Sequence, residues 1–227
     1  MTTTYTREQI ETILREEKFA YHRVDLPFGL HTPGQDRSAT RDLVFPASLD
    51  GQSVLDVGCA LGYFCFEAEK RGAARVVGTE LKDNRFHQAL RLREILGSKV
   101  EFHARNVIEE PLAEQFDQVC LLNVIHHMPE PMRALRALAE MTRSRLVIEF
   151  PTFHDEKFRK NAGIIFPWLY ERLPLIGVSS MAKETDQTFV FTPGAIRRIL
   201  QDHRMLFRTV EFIASPMPGR KIAICTK

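Results

Sequence analysis

The residues SVLDVGCALGYF, at positions 53–64, join an apolar run to a helix start through a loop that contains two glycines. The run SVLDV carries valines and a leucine, which favours a strand. Gly58 and Gly62 permit dihedral angles that a side chain would oppose, and they let the backbone approach a ligand closely. In open parallel sheets, ligands bind beyond the carboxyl ends of the strands. The stretch therefore predicts a strand–loop–helix unit that binds a ligand.

Short apolar runs and helical segments alternate after this stretch, which predicts βαβ units and a parallel sheet covered by helices on both faces. The predicted strands are 53–58, 74–80, 99–104, 116–124 and 144–150, and the predicted helices are 63–71, 84–96 and 131–142. An amphipathic helix is predicted at 6–18, and a loop or irregular cap rich in Pro and Gly at 25–46. Near the carboxyl end, Thr192 caps a predicted helix at 192–205, and two strands, 205–213 and 219–227, form a closing hairpin.

The composition excludes several classes of protein. Lys and Arg total 31 against 29 for Asp and Glu, so the charge gives no case for a dedicated nucleic-acid binder, although a local basic patch stays open. The four cysteines have no CxxC spacing and lie in apolar stretches, which predicts buried free thiols rather than disulfides or a metal site. No secretory signal pattern and no apolar run of transmembrane length is present, so we expect a cytoplasmic protein.

Two acidic residues indicate which ligand the glycine loop binds. The spacing of Gly58 and Gly62 differs from the GxGxxG fingerprint of dinucleotide sites, and Asp56 would repel a pyrophosphate but suits a cationic ligand. Glu80 ends the next strand about twenty residues later, where an acid can accept hydrogen bonds from ribose hydroxyls. The pair predicts an adenosine-containing ligand and disfavours a nicotinamide dehydrogenase. A tight turn without a ligand remains the alternative.

Four motifs carry a resemblance to a known family: DVGCALG, VVGTE, ARNV and LLNVIHHMPEP. Over 53–150 they resemble the class I S-adenosylmethionine-dependent methyltransferase superfamily. The GLHTPGQDR loop and the segment FDQVCLLNVIHHMPEPMRALRAL are more similar to the group that contains the tRNA wobble-uridine C5-oxyacetate synthases. The resemblance implies a Rossmann-like α/β fold: a seven-stranded, mostly parallel sheet in the order 3-2-1-4-5-7-6, with the last strand antiparallel, an N-terminal helical cap and a lid insertion after strand five.

The resemblance also implies a cofactor, S-adenosyl-L-methionine, and residues that bind it. Asp56, Gly58 and Gly62 would surround the methionine part, and Glu80 would hold the ribose. Asn106, which stands where many relatives have Asp, would flank the adenine together with a neighbouring valine, and Asn123 would lie under the methionine amino group. The full set of expected cofactor residues is Asp56, Gly58, Cys59, Ala60, Gly62, Phe64, Glu80, Leu81, Asn106, Val107, Asn123 and Val124.

Candidate bases for the transfer are His126 and His127, which follow the fourth strand, and Glu149, which ends the fifth. Imidazole titrates near neutral pH and is suited to proton transfer. A structural histidine that packs the loop is the alternative. The wobble-uridine enzymes commonly have Tyr-His where this chain has His126-His127, so the sequence favours methyl over carboxymethyl transfer.

Substrate recognition is expected outside the glycine loop, in the N-terminal cap and in the insertion. We expect one domain over 1–227, divided into a cap (1–50), a cofactor-binding core (51–150), a substrate lid (151–188) and a C-terminal helix and strand pair (189–227). The candidate substrate residues are His31, Gln35, Arg37, Lys157, Arg159, Trp168 and Tyr170.

Three functional hypotheses follow. The first is methyl transfer to an oxygen, nitrogen or carbon of a small molecule, without a membrane partner. The second is a methyl- or carboxymethyltransferase that acts on a tRNA wobble uridine, which needs a basic rim with stacking aromatics. The third is a non-catalytic module that binds the cofactor. The residues that could form this rim are the basic Arg37, Arg41, Lys157, Arg159 and Lys160, with Trp168 as the stacking aromatic.

Overall fold

A computed structural model describes residues 3–162, 165–178, 188–203 and 205–227 of the chain. The chain divides into two compact units, Met1–Glu110 and Pro111–Lys227. The first unit contains the cap and the glycine loop, and the second contains the histidine pair and the insertion.

The cap of the first unit is more helical than its sequence predicts. Helix α1, Arg7–Glu16, begins at the predicted place, because Thr6 and Gln9 form a capping box. The loop predicted at 25–46 contains a 3₁₀ turn, Pro27–Gly29, and a second helix, α2, Ser38–Val44. The prediction of a loop or irregular cap at 25–46 therefore missed α2, whereas the N-terminal helical cap that the family resemblance implied is present. Helix α2 has seven residues and no side-chain cap, so it lacks the signals by which a helix is recognised in a sequence.

The core of the first unit confirms the predicted βαβ pattern. Strands β1, β2 and β3 pair in parallel, and most residues of β1 and β2 are buried, as expected for a sheet covered on both faces. The elements are β1 (Ser53–Val57), α3 (Tyr63–Lys70), β2 (Arg75–Thr79), α4 (Asp83–Leu96) and β3 (Glu101–His103).

The second unit contains the remaining strands of the sheet and the insertion. Strand β5 pairs in parallel with β4, and β9 pairs antiparallel with both β5 and β8. The strands are β4 (Phe116–Leu122), β5 (Thr142–Pro151), β6 (Ile176–Val178), β7 (Phe189–Phe191), β8 (Thr209–Ala214) and β9 (Arg220–Thr226). The helices are α5 (Pro131–Met141), α6 (Glu156–Ala162), α7 (Pro167–Tyr170) and α8 (Pro193–Arg197), with a 3₁₀ turn at Ile125–His127 and a π-helical turn at Arg198–His203.

The strand order of the main sheet is β3-β2-β1-β4-β5-β9-β8. Counted within the main sheet alone, this is the expected order 3-2-1-4-5-7-6 with an antiparallel last strand. The labels differ only because β6 and β7 come earlier in the chain and form a separate two-stranded sheet, which the sequence did not predict. Strands of three residues are too short to show a recognisable alternation of apolar and polar residues.

The insertion is held by a small apolar cluster of its own. Phe153, Phe158 and Val190 are buried together, and Tyr170 and Leu175 pack against them. Helix α8 begins as predicted, with a hydrogen bond from the Ala195 amide to the Thr192 hydroxyl.

Two expectations from the composition can be compared with the described residues. All four cysteines are buried free thiols, as predicted. No helix in the described part of the chain combines the length and the apolar character that a transmembrane span requires.

Candidate active site

The glycine loop after β1 is held in a left-handed conformation. Gly58, Ala60 and Gly62 have φ angles of 72°, 51° and 79°. The amides of Gly58 and Cys59 both donate to the carbonyl oxygen of Thr79, at 2.8 and 2.9 Å, which fixes the loop to the end of β2. Gly62 also has a packing role, because a Cβ at this position would lie 2.5 Å from Cζ of Phe102.

Glu80 is buried and is turned toward this loop. Its Oε2 accepts a hydrogen bond from the Ala60 amide at 2.9 Å, and its Oε1 accepts one from the Lys82 amide at 2.8 Å. Each carboxylate oxygen can accept a further bond, so the group can still take ribose hydroxyls. The next side chain, Leu81, is 62% exposed and offers an apolar surface beside the carboxylate.

Asp56 is a second buried carboxyl group in the first unit. Burial raises the pKa of Asp56 to about 7, and the negative charge of Glu80 adds to this rise. Two contacts oppose the rise: the Cys65 thiol, which donates to Oδ2 of Asp56 at 3.6 Å, and the positive charge of Arg37. Two buried acids of like charge favour a ligand that is cationic and rich in hydrogen-bond donors. The ammonium, sulfonium and ribose hydroxyls of S-adenosylmethionine fit this set, whereas a pyrophosphate does not.

Four other expected cofactor residues are either buried or bonded within their own turn. Cys59, Phe64 and Val107 are buried, and burial raises the pKa of the Cys59 thiol. Asn106 uses its side-chain oxygen to accept the Ile108 amide at 3.1 Å, so it shapes its own turn after β3.

In the second unit, Asn123 follows β4 and has a φ of 62°. The backbone amide of Asn123 donates to the backbone carbonyl of Glu149 at 3.1 Å, and the side-chain nitrogen of Asn123 lies 3.1 Å from the Met217 sulfur. Arg220 donates to the Asn123 side-chain oxygen, and its Nε lies 3.9 Å from Oδ2 of Asp155. Sequence reasoning missed Arg220, because it lies 97 positions from Asn123 and no motif spacing links the two. The expected neighbour Val124 is half-buried.

The three candidate bases have different surroundings. His126 is buried and His127 is exposed, and their ring centroids are 4.0 Å apart. The Thr188 amide donates to the His126 carbonyl at 2.9 Å. Glu149 is fully buried and accepts a hydrogen bond from the Ser215 hydroxyl. This contact ties the Glu149 carboxylate to the loop between β8 and β9.

The candidate substrate residues of the cap do not share one environment. His31 and Gln35 are exposed, and they take part in isolated backbone bridges with Asp25 and His22. Arg37 is buried, and its guanidinium carbon lies 5.5 Å from the centre of the Phe64 ring.

The candidate substrate residues of the insertion also differ in how exposed their side chains are. Trp168 is 57% exposed, whereas Tyr170 stacks on Phe153 with ring centroids 5.2 Å apart, so Tyr170 helps to hold the apolar cluster. Arg159 is half-buried on α6. The Lys157 side chain lies outside the residues that the structure describes.

Comparison with known proteins identifies the family. A model described as a methyltransferase domain matches residues 54–145. A tRNA U34 carboxymethyltransferase of Alteromonas mediterranea is 31% identical over 259 residues, which cover 98% of this chain and 76% of the relative. The chain belongs to the class I S-adenosylmethionine-dependent methyltransferases. A second relative of this methyltransferase, a ubiquinone biosynthesis O-methyltransferase of Neisseria meningitidis serogroup C, is 31% identical over 112 residues, or 48% of this chain and 47% of the relative.

Solved structures support the fold of the methyltransferase. The N-terminal domain of EvdMO1, crystallised with SAH and D-fucose, has a TM-score of 0.70 at 14% identity, and the match covers 98% of this chain and 97% of that one. Magnesium protoporphyrin IX methyltransferase of Synechocystis PCC 6803, with bound SAH, has a TM-score of 0.57 at 18% identity, covering 79% and 75%. At these identities the likeness shows a shared architecture.

Proposed function

We propose that this methyltransferase transfers a methyl group to an oxygen, nitrogen or carbon of a small-molecule acceptor that has an apolar surface. The observation that carries the proposal is the composition of segment 165–178, which follows α6 in the second unit. Seven of its large apolar side chains are 38–74% exposed, a concentration that marks binding surfaces in soluble proteins. They are Ile165, Phe166, Trp168, Leu169, Leu173, Ile176 and Val178.

The segment is held in place, so its apolar side chains are not the product of a loose chain. Tyr170 stacks on Phe153, and the Thr192 hydroxyl donates to the Leu173 carbonyl at 2.6 Å. Oε2 of Glu171 lies 3.4 Å from Nε2 of His154, and Oε1 of Glu171 lies 3.6 Å from Nζ of Lys221, so the carboxylate has nearby basic partners. What the segment offers to a ligand is therefore mainly apolar contact area, which is typical of small-molecule sites.

Three of the five basic residues that could form an RNA-binding rim are buried or paired within the protein. Arg37 is buried, Arg41 lies 2.8 Å from Asp42, and Lys160 lies 2.6 Å from Glu156. An RNA site combines accessible positive charge with stacking aromatics. These ion pairs reduce the positive charge that the rim could present, which further supports a small-molecule acceptor.

The residues of the two units have distinct expected roles. S-adenosylmethionine, when bound, supplies a methyl group that is already activated on a sulfonium centre. Glu80 would hold the ribose, and Asp56 would balance positive charge in the first unit. In the second unit, His126, His127 or Glu149 would accept a proton from an acceptor that loses one. The four buried free thiols suit a reducing compartment, so we also propose a cytoplasmic location.

A second candidate function is modification of tRNA. It is favoured by the likeness to the tRNA U34 carboxymethyltransferase, because that match extends over 98% of this chain. Binding through phosphate contacts would weaken steeply with salt, whereas binding of an apolar small molecule would change little.

The two functions are separated by measuring methyl transfer. The full chain is incubated with labelled S-adenosylmethionine and either bulk tRNA or a panel of phenols, quinols and amines. We expect label in a small molecule, and a higher KM in Trp168→Ser, with Arg172→Ser as the matched exposed control. Labelled tRNA, with binding that falls steeply between 50 and 200 mM salt, would instead establish the second function.

A further inference from the structure

Strand β7 of the insertion is joined to the turn that carries the histidine pair, His126 and His127. The backbone amide of Thr188, the residue before β7, donates to the backbone carbonyl oxygen of His126 at 2.9 Å. The turn itself, Ile125–His127, has three residues, and helices of this 3₁₀ type have poorer hydrogen-bond geometry than α-helices. The bond from Thr188 therefore adds an attachment from outside the turn.

This attachment acts on both histidines at once. The carbonyl group of His126 belongs to the planar peptide unit that joins His126 to His127. A hydrogen bond that fixes the direction of this carbonyl also limits rotation of the peptide plane, and with it the directions in which both side chains leave the backbone. The two ring centroids lie 4.0 Å apart, so a rotation of the plane would displace both rings.

Strand β7 is packed firmly enough to hold the Thr188 amide in place. Val190 and Phe191 are fully buried. The Phe191 ring meets the Phe150 ring of β5 at a right angle, with the ring centroids 6.4 Å apart. The histidine turn is therefore attached to a strand whose own position is fixed by the core of the second unit.

The same strand holds the apolar segment 165–178. Strand β7 pairs antiparallel with β6, Ile176–Val178, which ends that segment. Just after β7, the Thr192 amide donates to the Leu175 carbonyl at 3.0 Å, and the Leu175 amide donates to the Thr192 hydroxyl at 2.9 Å. One strand thus contacts both the surface proposed for the acceptor and the turn that carries two candidate bases.

We propose that Thr188 is a positioning residue for methyl transfer, and that its backbone amide orients the histidine turn toward an acceptor bound on segment 165–178. This role of Thr188 rests on the proposed function, in which a histidine accepts a proton from the acceptor. The proton moves to an imidazole nitrogen, the electron pair that it leaves forms the bond to the methyl carbon, and the pair of the broken carbon–sulfur bond stays on sulfur. Such a step is sensitive to placement, because a shift of about 1 Å can cost about a hundredfold in rate.

A purely structural role for Thr188 would have another signature. Removal of its hydrogen bond would then lower the free energy of unfolding, but the folded protein would keep its kcat and the environment of its histidine rings. A positioning role instead lowers kcat with little change in the KM for the acceptor, since segment 165–178 keeps its apolar side chains.

The test compares Thr188→Pro, which lacks the amide hydrogen, with Thr188→Ala, which keeps it. The full chain is assayed with labelled S-adenosylmethionine and the acceptor that the panel of phenols, quinols and amines identifies. We expect the kcat of Thr188→Pro to lie about tenfold to a hundredfold below that of Thr188→Ala, with the KM values for the acceptor within about twofold of each other. Equal kcat values in the two variants, or a loss confined to KM, would overturn the proposal.

The imidazole NMR signals provide a readout that needs no acceptor. In the full chain with isotope-labelled histidine, the signals of the pair are assigned with His126→Gln and His127→Gln. We expect both signals to shift in Thr188→Pro but not in Thr188→Ala, and the signals of His31 and His87, in the first unit, to stay in place. Unshifted signals of the pair would overturn the proposal with or without a known acceptor. Failure of the unmodified chain to label any acceptor would instead refute the proposed function, an outcome distinct from a loss in Thr188→Pro.

Gly177→Ala decides the matter if Thr188→Pro does not fold. A Cβ at position 177 would lie 2.8 Å from Cγ1 of Val190 and 3.0 Å from Cζ of Phe153, so it presses on β7 while every backbone amide is kept. The signals of the histidine pair should shift in this variant too, and kcat should fall. Signals that stay in place would contradict a positioning role for β7.

Discussion

The backbone amide of Ala60 donates a 2.9 Å hydrogen bond to Oε2 of Glu80. This bond joins the glycine loop after β1 to the acid that ends β2, the two features from which an adenosine-containing ligand was predicted. Glu80 therefore holds the loop, and its carboxylate has the capacity to accept from a ribose as well as from the backbone.

Replacement of Glu80 by Gln is expected to affect stability as well as binding. A glutamine keeps one acceptor oxygen but places an NH₂ group against the amide of Ala60 or Lys82. We expect the free energy of unfolding to fall by about 1–3 kcal/mol, the cost of an unmet buried hydrogen bond, together with weaker S-adenosylhomocysteine binding. Urea unfolding and calorimetry measure the two effects. Glu101→Gln, in a half-exposed pair with Arg75, should cost less than about 1 kcal/mol, and an equal cost would contradict this account.

Gly62 is expected to tolerate no side chain because of Phe102. In Gly62→Ala the new Cβ would meet the ring at 2.5 Å, so we expect a loss of about 1–3 kcal/mol from overpacking in addition to the cost of a left-handed alanine. Gly51 has a similar φ of 72° with nothing within 4 Å, so Gly51→Ala carries the backbone cost alone. Thermal unfolding of the two variants gives the difference. The double variant Gly62→Ala with Phe102→Leu should recover part of the loss; no recovery would assign the cost to another contact.

Asp56 should make stability depend on pH in the direction opposite to that of most acids. Its pKa in the folded protein is raised to about 7, so between about pH 4 and 7 the folded state holds a proton that the unfolded state has released. The free energy of unfolding should therefore fall as pH rises through this window, by up to about 1.4 kcal/mol per pH unit. Asp56→Asn should flatten the profile measured by urea unfolding, and Asp83→Asn, at an exposed position, should not. A profile unchanged in Asp56→Asn would contradict the raised pKa.

Substitutions at Trp168 and Tyr170 should have different effects, on acceptor binding and on stability respectively. Tyr170→Ala removes the stacking partner of Phe153 and is expected to lower the free energy of unfolding by about 1–3 kcal/mol. Trp168→Ala should stay within about 0.5 kcal/mol, because the side chain is largely exposed, while it raises the KM for a small-molecule acceptor. Denaturant unfolding and steady-state kinetics provide the two readouts. The reverse pattern would assign Trp168 to packing and Tyr170 to the acceptor.

The sequence predicted the sheet well because its strands and helices are long enough to show their periods. Apolar runs such as LVIEF, at 146–150, predicted the strands and the place of the glycine loop, whereas the strand order was implied by the family resemblance. Helix α2 and strands β6 and β7 were missed, because such short elements contain too few repeats of either period. Strand β3 is also short, but it lies within the longer predicted run KVEFHA, at 99–104.

The environments of single side chains were harder to predict than the elements that carry them. Arg37 was predicted as a substrate residue from its place in the cap, and only the fold shows that it is buried beside Phe64. Tyr170 was grouped with Trp168 by composition, although only the fold shows that one is stacked and the other open. Contacts between residues far apart in the chain, such as Asn123 with Arg220, leave no local pattern to read.

The two bonds that the Thr79 carbonyl accepts from Gly58 and Cys59 have a kinetic consequence. Because the neighbouring strand already fixes the dihedral angles of this turn, association with the nucleoside requires little reorganisation of the main chain. Stopped-flow binding should therefore be a single exponential whose observed rate rises linearly with ligand concentration, without the plateau that a slow isomerisation imposes. The cofactor loop is therefore preorganised for binding.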